Sequence, residues 1–429
     1  MAGKWATPTV DSPALTDSYT TIKEAIMIAQ TKNNWKRNAT LFLISQCITL
    51  FGSMIVQMSI IWYVTLKTSS GAWVAAFTIC SYLPQFLISF LGGVWADRYS
   101  HKKLIIFSDT VIMLATFIMF LVIPMMSSDV ILLSGLLGIS IIRSIGAGVQ
   151  TPAVNAVIPY LVPEEYLMKY NGINATMQSV VQFASPAVAG VVLSAGTFRS
   201  TLLIDILTAF VGIGLLFFLR LPVKSVTNEA VSVLEDIKAG ICYSFSDKNI
   251  GKILIVYGMF IFLCVPAGFM SALLVSRVYG DAYWYLTATE LIGFAGMTLG
   301  GILIGIWGGF PNRVKTLAVG LSVLSIMTVG MGISPYFLLY LVMMFLYSIA
   351  LTMVQTSTTT IIQEKADESM QGRVFGLMGA MYSGFLPVGM VVFGPLSDIF
   401  SLQWIMIGTG IALAFVAVYL LNNRIVNKN

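Results

Sequence analysis

Charged residues are scarce in this sequence. Asp, Glu, Lys and Arg together make up 10% of the 429 residues, whereas apolar residues make up 57%. Because a water-soluble domain carries roughly 25% charged residues, this chain could not cover a folded surface with polar groups. Together with a mean hydropathy of +0.87, the composition excludes a water-soluble enzyme and indicates a protein that lies in a lipid bilayer.

Cysteine and histidine are also rare, with four copies and one copy. No two cysteines have C-x-x-C spacing, so we expect no metal site, no disulfide framework and no cofactor. The single histidine, His101, is expected to be a solvated loop residue. The sequence has no G-x-x-x-x-G-K-[ST], H-E-x-x-H or G-x-S-x-G motif, which argues against an enzyme and against ATP hydrolysis by the chain itself.

The net charge of +5 comes from basic residues scattered singly through short loops. Without a basic stripe or cluster, nucleic acid is not an expected partner. The first 38 residues contain no apolar core of the kind that a signal peptide carries. We therefore expect this segment to stay in the cytoplasm.

Twelve apolar runs are long enough to cross a bilayer. The predicted fold class is an all-α membrane protein, with twelve transmembrane helices in two pseudo-symmetric six-helix halves. The predicted parts are a cytoplasmic segment 1–38, halves at 39–219 and 249–423, a cytoplasmic linker 220–248 and a cytoplasmic tail 424–429. The predicted spans are 39–66, 73–95, 104–126, 130–157, 168–195, 199–219, 249–276, 283–307, 316–333, 336–362, 374–397 and 401–423.

Basic residues fall mostly on one side of this layout. Of the 24 Lys and Arg residues, 20 lie on the side of the N-terminus, and only Lys67, Arg199 and Arg277 lie opposite, with Arg143 inside a span. Since cytoplasmic loops are enriched in Lys and Arg, both termini are expected in the cytoplasm.

A short pattern recurs in the two halves. Gly93-x-Trp95 precedes Lys103 by the same spacing with which Gly305-x-Trp307 precedes Lys315. Repeats of this kind are typical of duplicated transporters that handle substrate at the interface between their halves.

The connection between the second and third spans carries the most specific motif. Residues 93–103 read G-V-W-A-D-R-Y-S-H-K-K and resemble the loop signature of the major facilitator superfamily. The resemblance implies that Asp97, Arg98 and Lys102 help to latch the two halves at the cytoplasmic side, and that the glycine allows close helix packing. An ordinary basic cytoplasmic loop is the alternative.

The resemblance narrows to the macrolide and multidrug exporters of that superfamily, and extends from Asn33 to the twelfth span. It implies drug export in exchange for protons. The fourth-span signature is met only by Arg143, and the first span lacks the carboxylate that some of these antiporters use, so the coupling residue stays open. The segments that carry the resemblance are N-W-K-R at 34–37, R-S-I-G at 143–146, Q-T-P-A-V-N-A at 150–156, P-E-E at 163–165, S-P-A-V-A at 185–189 and Q-G-R-V-F at 371–375.

Polar residues recur along one face of several spans. In the first span, residues 53 and 57 follow residue 46 by 7 and 11 positions, which places the three on one face of a helix. The resemblance implies a cavity lined by the first, fourth, seventh and tenth spans. We expect residues of these spans to line a substrate cavity, with interhelical hydrogen bonds as the alternative role. They are Gln46, Ser53, Gln57, Gln150, Tyr257, Tyr347 and Gln355.

Ionisable residues inside spans cost roughly 2.5 to 3.5 kcal/mol each on insertion scales, so they mark candidate functional sites. Arg143 is expected either to act as a gating or proton-relay group or to hold a structural ion pair. Asp109 is expected to support the Asp97-Arg98 loop rather than to bind substrate.

Two further carboxylates, Asp205 and Glu290, are candidates for proton coupling. Glu290 is preferred for coupling or cation recognition, because the resemblance implies that the eighth span lines the interface between the halves. A structural hydrogen bond is the alternative for both. Asp398, at the end of the eleventh span, is expected to be solvated.

The predicted function is a secondary transporter of the bacterial cell membrane that exports amphipathic drugs, macrolides in particular, in exchange for protons. Its expected partners are a small-molecule drug, protons and the bilayer. The alternatives are an exporter of a native metabolite such as a siderophore, an importer on the same fold, or a membrane subunit that works with a partner ATPase. Fold alone does not fix the substrate.

Overall fold

The computed structural model describes residues 35–219 and 241–422. Within these ranges the chain is helical apart from short connections, and twelve segments are long and apolar enough to cross a membrane. The helices are α1 Trp35–Thr68, α2 Gly71–Arg98, α3 His101–Val122, α4 Asp129–Leu161, α5 Leu167–Ala195, α6 Phe198–Phe218, α7 Lys248–Phe269, α8 Ser271–Val278, α9 Tyr283–Trp307, α10 Arg313–Ile333, α11 Phe337–Lys365, α12 Glu368–Ile399 and α13 Leu402–Asn422.

The twelve predicted spans are confirmed, with the seventh formed by α7 and α8 together. Residues 1–34, 220–240 and 423–429 are outside the described residues, and with them most of the predicted N-terminal segment, linker and tail. The end of the predicted linker forms a further short helix at 241–246, which Asp247, the N-cap of α7, separates from α7. The two ends of the bundle are named below by their connections, the α1–α2 end and the α2–α3 end.

Each half is held by close pairs of helices. In the first half α1 packs on α6 and α2 on α4, and in the second half α10 packs on both α11 and α13. The two halves meet mainly where α2 contacts α12 and where α5 contacts α9. Residues of α2 and α5 therefore reach the interface as well as the interior of the first half.

The seventh span is broken near one end. Pro266 lies inside α7, which ends at Phe269, and Met270 separates it from α8. Proline removes one backbone hydrogen bond of the helix and clashes with the preceding turn, so a change of direction here has a local cause. α8 carries Arg277 in its last turn, at the α1–α2 end.

Candidate functional site

A cavity of about 310 Å³, here called the polar cavity, lies within the first half. Its wall includes six residues predicted from the sequence, two of them carboxylates. Asn155 and Asn174 extend the wall toward the α2–α3 end, since they lie near the end of α4 and the start of α5. The predicted residues in the wall are Gln46, Ser53, Gln57, Asp109, Gln150 and Asp205.

An ion pair between Arg143 of α4 and Asp205 of α6 lies beside this cavity. Both residues are buried, with 8% and 2% of their surface exposed. Thr116 of α3 contacts both partners: its hydroxyl accepts a hydrogen bond from Arg143 Nη1 at 2.6 Å and donates one to Asp205 Oδ2 at 3.0 Å. Arg143 Nη2 donates to Ser53 Oγ at 2.9 Å. The pair thus ties four helices together, which is the structural role considered for Arg143.

Close packing of α1 on α6 brings Ser53 to this ion pair. Gly212 of α6 allows the approach, because a Cβ there would lie 2.3 Å from Thr49 Cγ2. The Ser45 hydroxyl donates to the Gly212 carbonyl oxygen at 3.0 Å. A larger residue at position 212 would separate the two helices and withdraw Ser53 from Arg143.

Asp109 is the second carboxylate of the polar cavity. It is 4% exposed and accepts a hydrogen bond at Oδ1 from Gln150 Nε2. Its Oδ2 is buried and has no hydrogen-bond partner among the described residues. Asp109 lies seven residues before Thr116, hence on the same face of α3, and near enough to Asp205 for the two carboxylates to repel. Among the described residues the hydrogen-bond partner of Asp109 is Gln150 of α4, and support of the Asp97-Arg98 loop stays a prediction.

The cluster has one carboxylate more than it has cations. Arg143 compensates the charge of Asp205, while Asp109 has only the neutral amide of Gln150. A buried charge without a counter-charge is costly. Uptake of one proton at Asp109 would make the cluster neutral, so the arrangement is chemically suited to hold and release a proton.

A second cavity of about 420 Å³, here called the apolar cavity, lies between the halves. Helices α1, α2 and α5 face α7, α9, α11 and α12 across it. Tyr347 and Gln355 of α11 line it as predicted, whereas Tyr257 is in neither wall and packs 6.2 Å from the ring of Phe260. Its apolar and aromatic wall residues are Met54, Met58, Met297, Met344, Phe260, Phe269, Phe294, Ile261, Leu351, Tyr82, Tyr347 and Tyr382.

Among the described residues that line the apolar cavity, Glu290 of α9 is the single one with a charged side chain. Within the ranges 35–219 and 241–422 it has neither an ion-pair partner nor a hydrogen bond. Its electrostatic neighbours are the phenol groups of Tyr82 and Tyr340. The expectation that Glu290 lies at the interface between the halves agrees with this position.

The two cavities are neighbours with a common wall. Met54 of α1, Tyr82 of α2 and Gln182 of α5 line both. A ligand in either cavity would therefore contact the same three side chains. The sequence gives no signal for this wall, because none of the three is charged.

The α1–α2 end is closed by a contact between the halves. Asp398 at the end of α12 accepts hydrogen bonds from the backbone N–H groups of Gly71 at 2.7 Å and Ala72 at 2.9 Å, which begin α2. Arg277 donates from Nη2 to Asp398 Oδ1 at 2.7 Å and from Nε to the Ser69 carbonyl oxygen at 3.1 Å. The expectation that Asp398 is merely solvated is wrong, because a helix N-terminus attracts a carboxylate.

The α2–α3 end is less tightly packed. Arg98 and Tyr99 are exposed, and a Cβ at Gly93 would meet no atom within 4 Å. Close packing at Gly93 is thus not present in this conformation. Asp97 belongs to α2, and its side chain lies outside the described part of the chain.

Two other residues of this connection pack inside the first half. Lys102 Nζ donates to the carbonyl oxygens of Leu219 at 2.7 Å and Phe217 at 3.0 Å, at the end of α6. Cations are favoured at a helix C-terminus because of the helix dipole. His101 is buried, 5.2 Å from the ring of Tyr160, so the expectation of a solvated histidine is wrong.

Comparison with known proteins places the chain in a family. The sequence model of the Major Facilitator Superfamily matches residues 42–389 of this chain. Macrolide efflux protein A of Streptococcus pyogenes is 28% identical over 370 residues, covering 85% of this chain and 91% of that protein. The staphyloferrin A transporter of Staphylococcus aureus is 22% identical over 372 residues, covering 84% and 90%.

Solved structures of transporters share the fold. The nucleoside transporter NupG matches with a TM-score of 0.68 and 15% sequence identity, and the match covers 91% of this chain and 100% of NupG. A bacterial homologue of the iron transporter ferroportin has a TM-score of 0.68 and 14% identity, covering 90% and 99%. The expectation of a transporter rather than an enzyme is confirmed, and the chain belongs to the major facilitator superfamily.

Proposed function

We propose that this protein exports amphipathic drugs, macrolides in particular, in exchange for protons by alternating access. The similarity to macrolide efflux protein A over most of both chains carries the proposal. It is supported by an apolar cavity that is wide enough for part of a bulky ligand and is bordered by a carboxylate cluster. Ligand pockets of about 300–1,000 Å³ with few polar groups are typical of small-molecule sites.

The proposed location is the bacterial cytoplasmic membrane, with both termini and the α2–α3 end in the cytoplasm. The excess of basic residues on that side favours this orientation. In it, the conformation described above is closed to the outside by Arg277 and Asp398 and is more open to the inside. A drug would enter the cavities from the cytoplasm or the inner leaflet.

In this proposal Asp109 carries the proton, while Arg143, Asp205 and Gln150 set its surroundings. A proton drives export only if its binding free energy differs between the two conformations of the transporter. Repacking of α4 against α3 would move Gln150 and Arg143 relative to Asp109 and so change how well its charge is compensated. Asp97, Arg98 and Lys102 are proposed to latch the opposite conformation.

Two measurements test this function. Cells with and without the protein are loaded with radiolabelled erythromycin before and after addition of a proton uncoupler, and purified protein in liposomes is given an imposed pH gradient. Lower accumulation that the uncoupler abolishes, together with gradient-driven transport in liposomes, is expected. Efflux in cells without transport in liposomes would instead favour a subunit that depends on a partner ATPase.

A siderophore exporter is the second candidate. The similarity to the staphyloferrin A transporter favours it. Transport of a carboxylate-rich siderophore by the same liposomes would discriminate between the two candidates. The apolar cavity contains a single carboxylate, Glu290, which would repel such a ligand. Transport of the siderophore and not of erythromycin would overturn macrolide export.

A further inference from the structure

Glu290 presents a problem of charge compensation. It faces an apolar cavity without an ion-pair partner or hydrogen bond among the described residues. A carboxylate removed from bulk water is stabilised only by a cation, by hydrogen-bond donors or by taking up a proton. The described residues of the wall include no cation, so a cation that compensates this charge has to come from what enters the cavity.

The rest of the wall favours an organic cation over a bare ion. Aromatic rings of Phe260, Phe269, Phe294, Tyr347 and Tyr382 surround the same space. Their faces attract cations and at the same time cover apolar surface. A metal ion would find a single carboxylate, since the other oxygen atoms of the wall belong to neutral Tyr, Ser and Gln side chains, whereas a protonated amine on an apolar body would find a counter-charge and an apolar surface.

The remaining wall residues suit ligands of varied shape. Four methionines, Met54, Met58, Met297 and Met344, line the cavity, and their unbranched side chains adapt to irregular surfaces. A site of this kind fixes the position of the charge through Glu290 and leaves the shape of the apolar part loosely defined.

Glu290 also differs from Asp109 in what surrounds it. Asp109 has a hydrogen-bonding amide and a second carboxylate nearby, and that carboxylate is paired with Arg143, so the charge of Asp109 is tuned by groups of the protein. Glu290 lies near the phenols of Tyr82 and Tyr340, and the other described polar side chains of its cavity are neutral. Its charge therefore depends on the ligand, and the two carboxylates have separate tasks.

We propose that Glu290 is the counter-charge for a protonated amine, and that the apolar cavity selects amphipathic monocations over neutral molecules of the same shape. This inference rests on the proposed function, because it names the ligand class of the exporter's cavity. It assigns Glu290 to ligand recognition rather than to proton coupling.

Binding to the purified protein tests the inference without any transport step. The probes are erythromycin, which carries a tertiary amine, its neutral N-demethyl-N-acetyl derivative, and tetraphenylphosphonium, a permanent cation of a different class. The wild type is expected to bind the two cations more tightly than the neutral derivative. Glu290→Gln is expected to lose about tenfold in affinity for both cations, the size of one charged contact, and to bind the neutral derivative as the wild type does.

Two variants control for folding and for surface charge. Glu290→Asp keeps the charge and is expected to keep the preference for cations. It provides a second test of the inference if Glu290→Gln is poorly folded. Asp281→Asn removes an exposed carboxylate between α8 and α9 and is expected to leave all affinities unchanged. If Glu290→Gln lost affinity equally for the cationic and the neutral form of erythromycin, the inference would be overturned.

The outcomes separate this inference from macrolide export. Binding of tetraphenylphosphonium that depends on Glu290, without binding of either erythromycin form, would support the cation site and reject macrolides. Erythromycin export by a Glu290→Gln variant with an unchanged preference for the amine would reject the cation site and leave macrolide export intact.

Discussion

Arg277 of α8 and Asp398 of α12 together join the second half to the α1–α2 connection and the start of α2 in the first half. The guanidinium contacts the Asp398 carboxylate and the Ser69 carbonyl oxygen, while that carboxylate caps the first N–H groups of α2. Because α1 and α2 belong to the first half and α8 and α12 to the second, these contacts exist only while the halves are together at this end.

Loss of this contact should favour opening of the α1–α2 end. Asp398→Asn removes the charge that holds both Arg277 and the N-terminus of α2, so the distance between spin labels at Ala72 and Ile399 should lengthen in a larger fraction of molecules. Lys67→Ala is the matched control, because Lys67 pairs with Asp129 at 2.9 Å within the first half. An unchanged distance distribution in Asp398→Asn would contradict the role of this contact.

The start of α2 offers a steric version of the same test. A Cβ on Gly71 would lie 2.4 Å from the Gly394 carbonyl oxygen of α12 and closer still to Ser397 Oγ. Gly71→Ala should therefore hold the α1–α2 end apart and slow the return to the described conformation. Gly93→Ala, where the space is open, should leave this conformation unaffected in the same spin-label measurement.

The buried pair of Arg143 and Asp205 should matter more for stability when one partner is lost than when both are. Asp205→Asn leaves an uncompensated buried arginine, with an expected cost of about 3–5 kcal/mol. The double variant Arg143→Met with Asp205→Leu should recover much of this loss, since apolar residues can replace a buried pair. Thermal unfolding in detergent would measure the stability of both variants. If the stability losses of the two single substitutions added up in the double variant, this would argue against direct pairing.

Asp109→Asn should separate coupling from ligand exchange. Without a proton to take up, the variant should lose pH-gradient-driven efflux by about tenfold or more, because the gradient no longer acts on either conformation. Exchange of labelled for unlabelled drug across liposomes at equal pH should persist, since it needs no net proton movement. Asp281→Asn, an exposed carboxylate, is the control. Full gradient-driven efflux by Asp109→Asn would move proton coupling to another group.

The features that could be predicted from the sequence depend on composition and on helical periodicity. The twelve spans follow from apolar length alone, and the face of α1 that holds Gln46, Ser53 and Gln57 follows from helical periodicity. These features are local, so the order of residues along the chain is enough to predict them.

The partners of the charged residues could not be predicted in the same way. Asp398 contacts residues more than 300 positions away, and Asp109 contacts Gln150 on another helix. Neither spacing nor composition encodes which helices become neighbours. The site residues that carry no signal in the sequence are neutral or lie at helix ends: Thr116, the common-wall residues Met54, Tyr82 and Gln182, and Arg277.

The presence of one uncompensated carboxylate in each cavity has a consequence for the energy source. A cycle that carries one monocation out at Glu290 and one proton in at Asp109 moves no net charge across the membrane. Since one elementary charge crossing 100 mV is worth about 2.3 kcal/mol, such a cycle forgoes that contribution and is driven by the pH difference alone. Export of a neutral ligand through the same cavities would instead be electrogenic, and the membrane voltage would then add to its driving force.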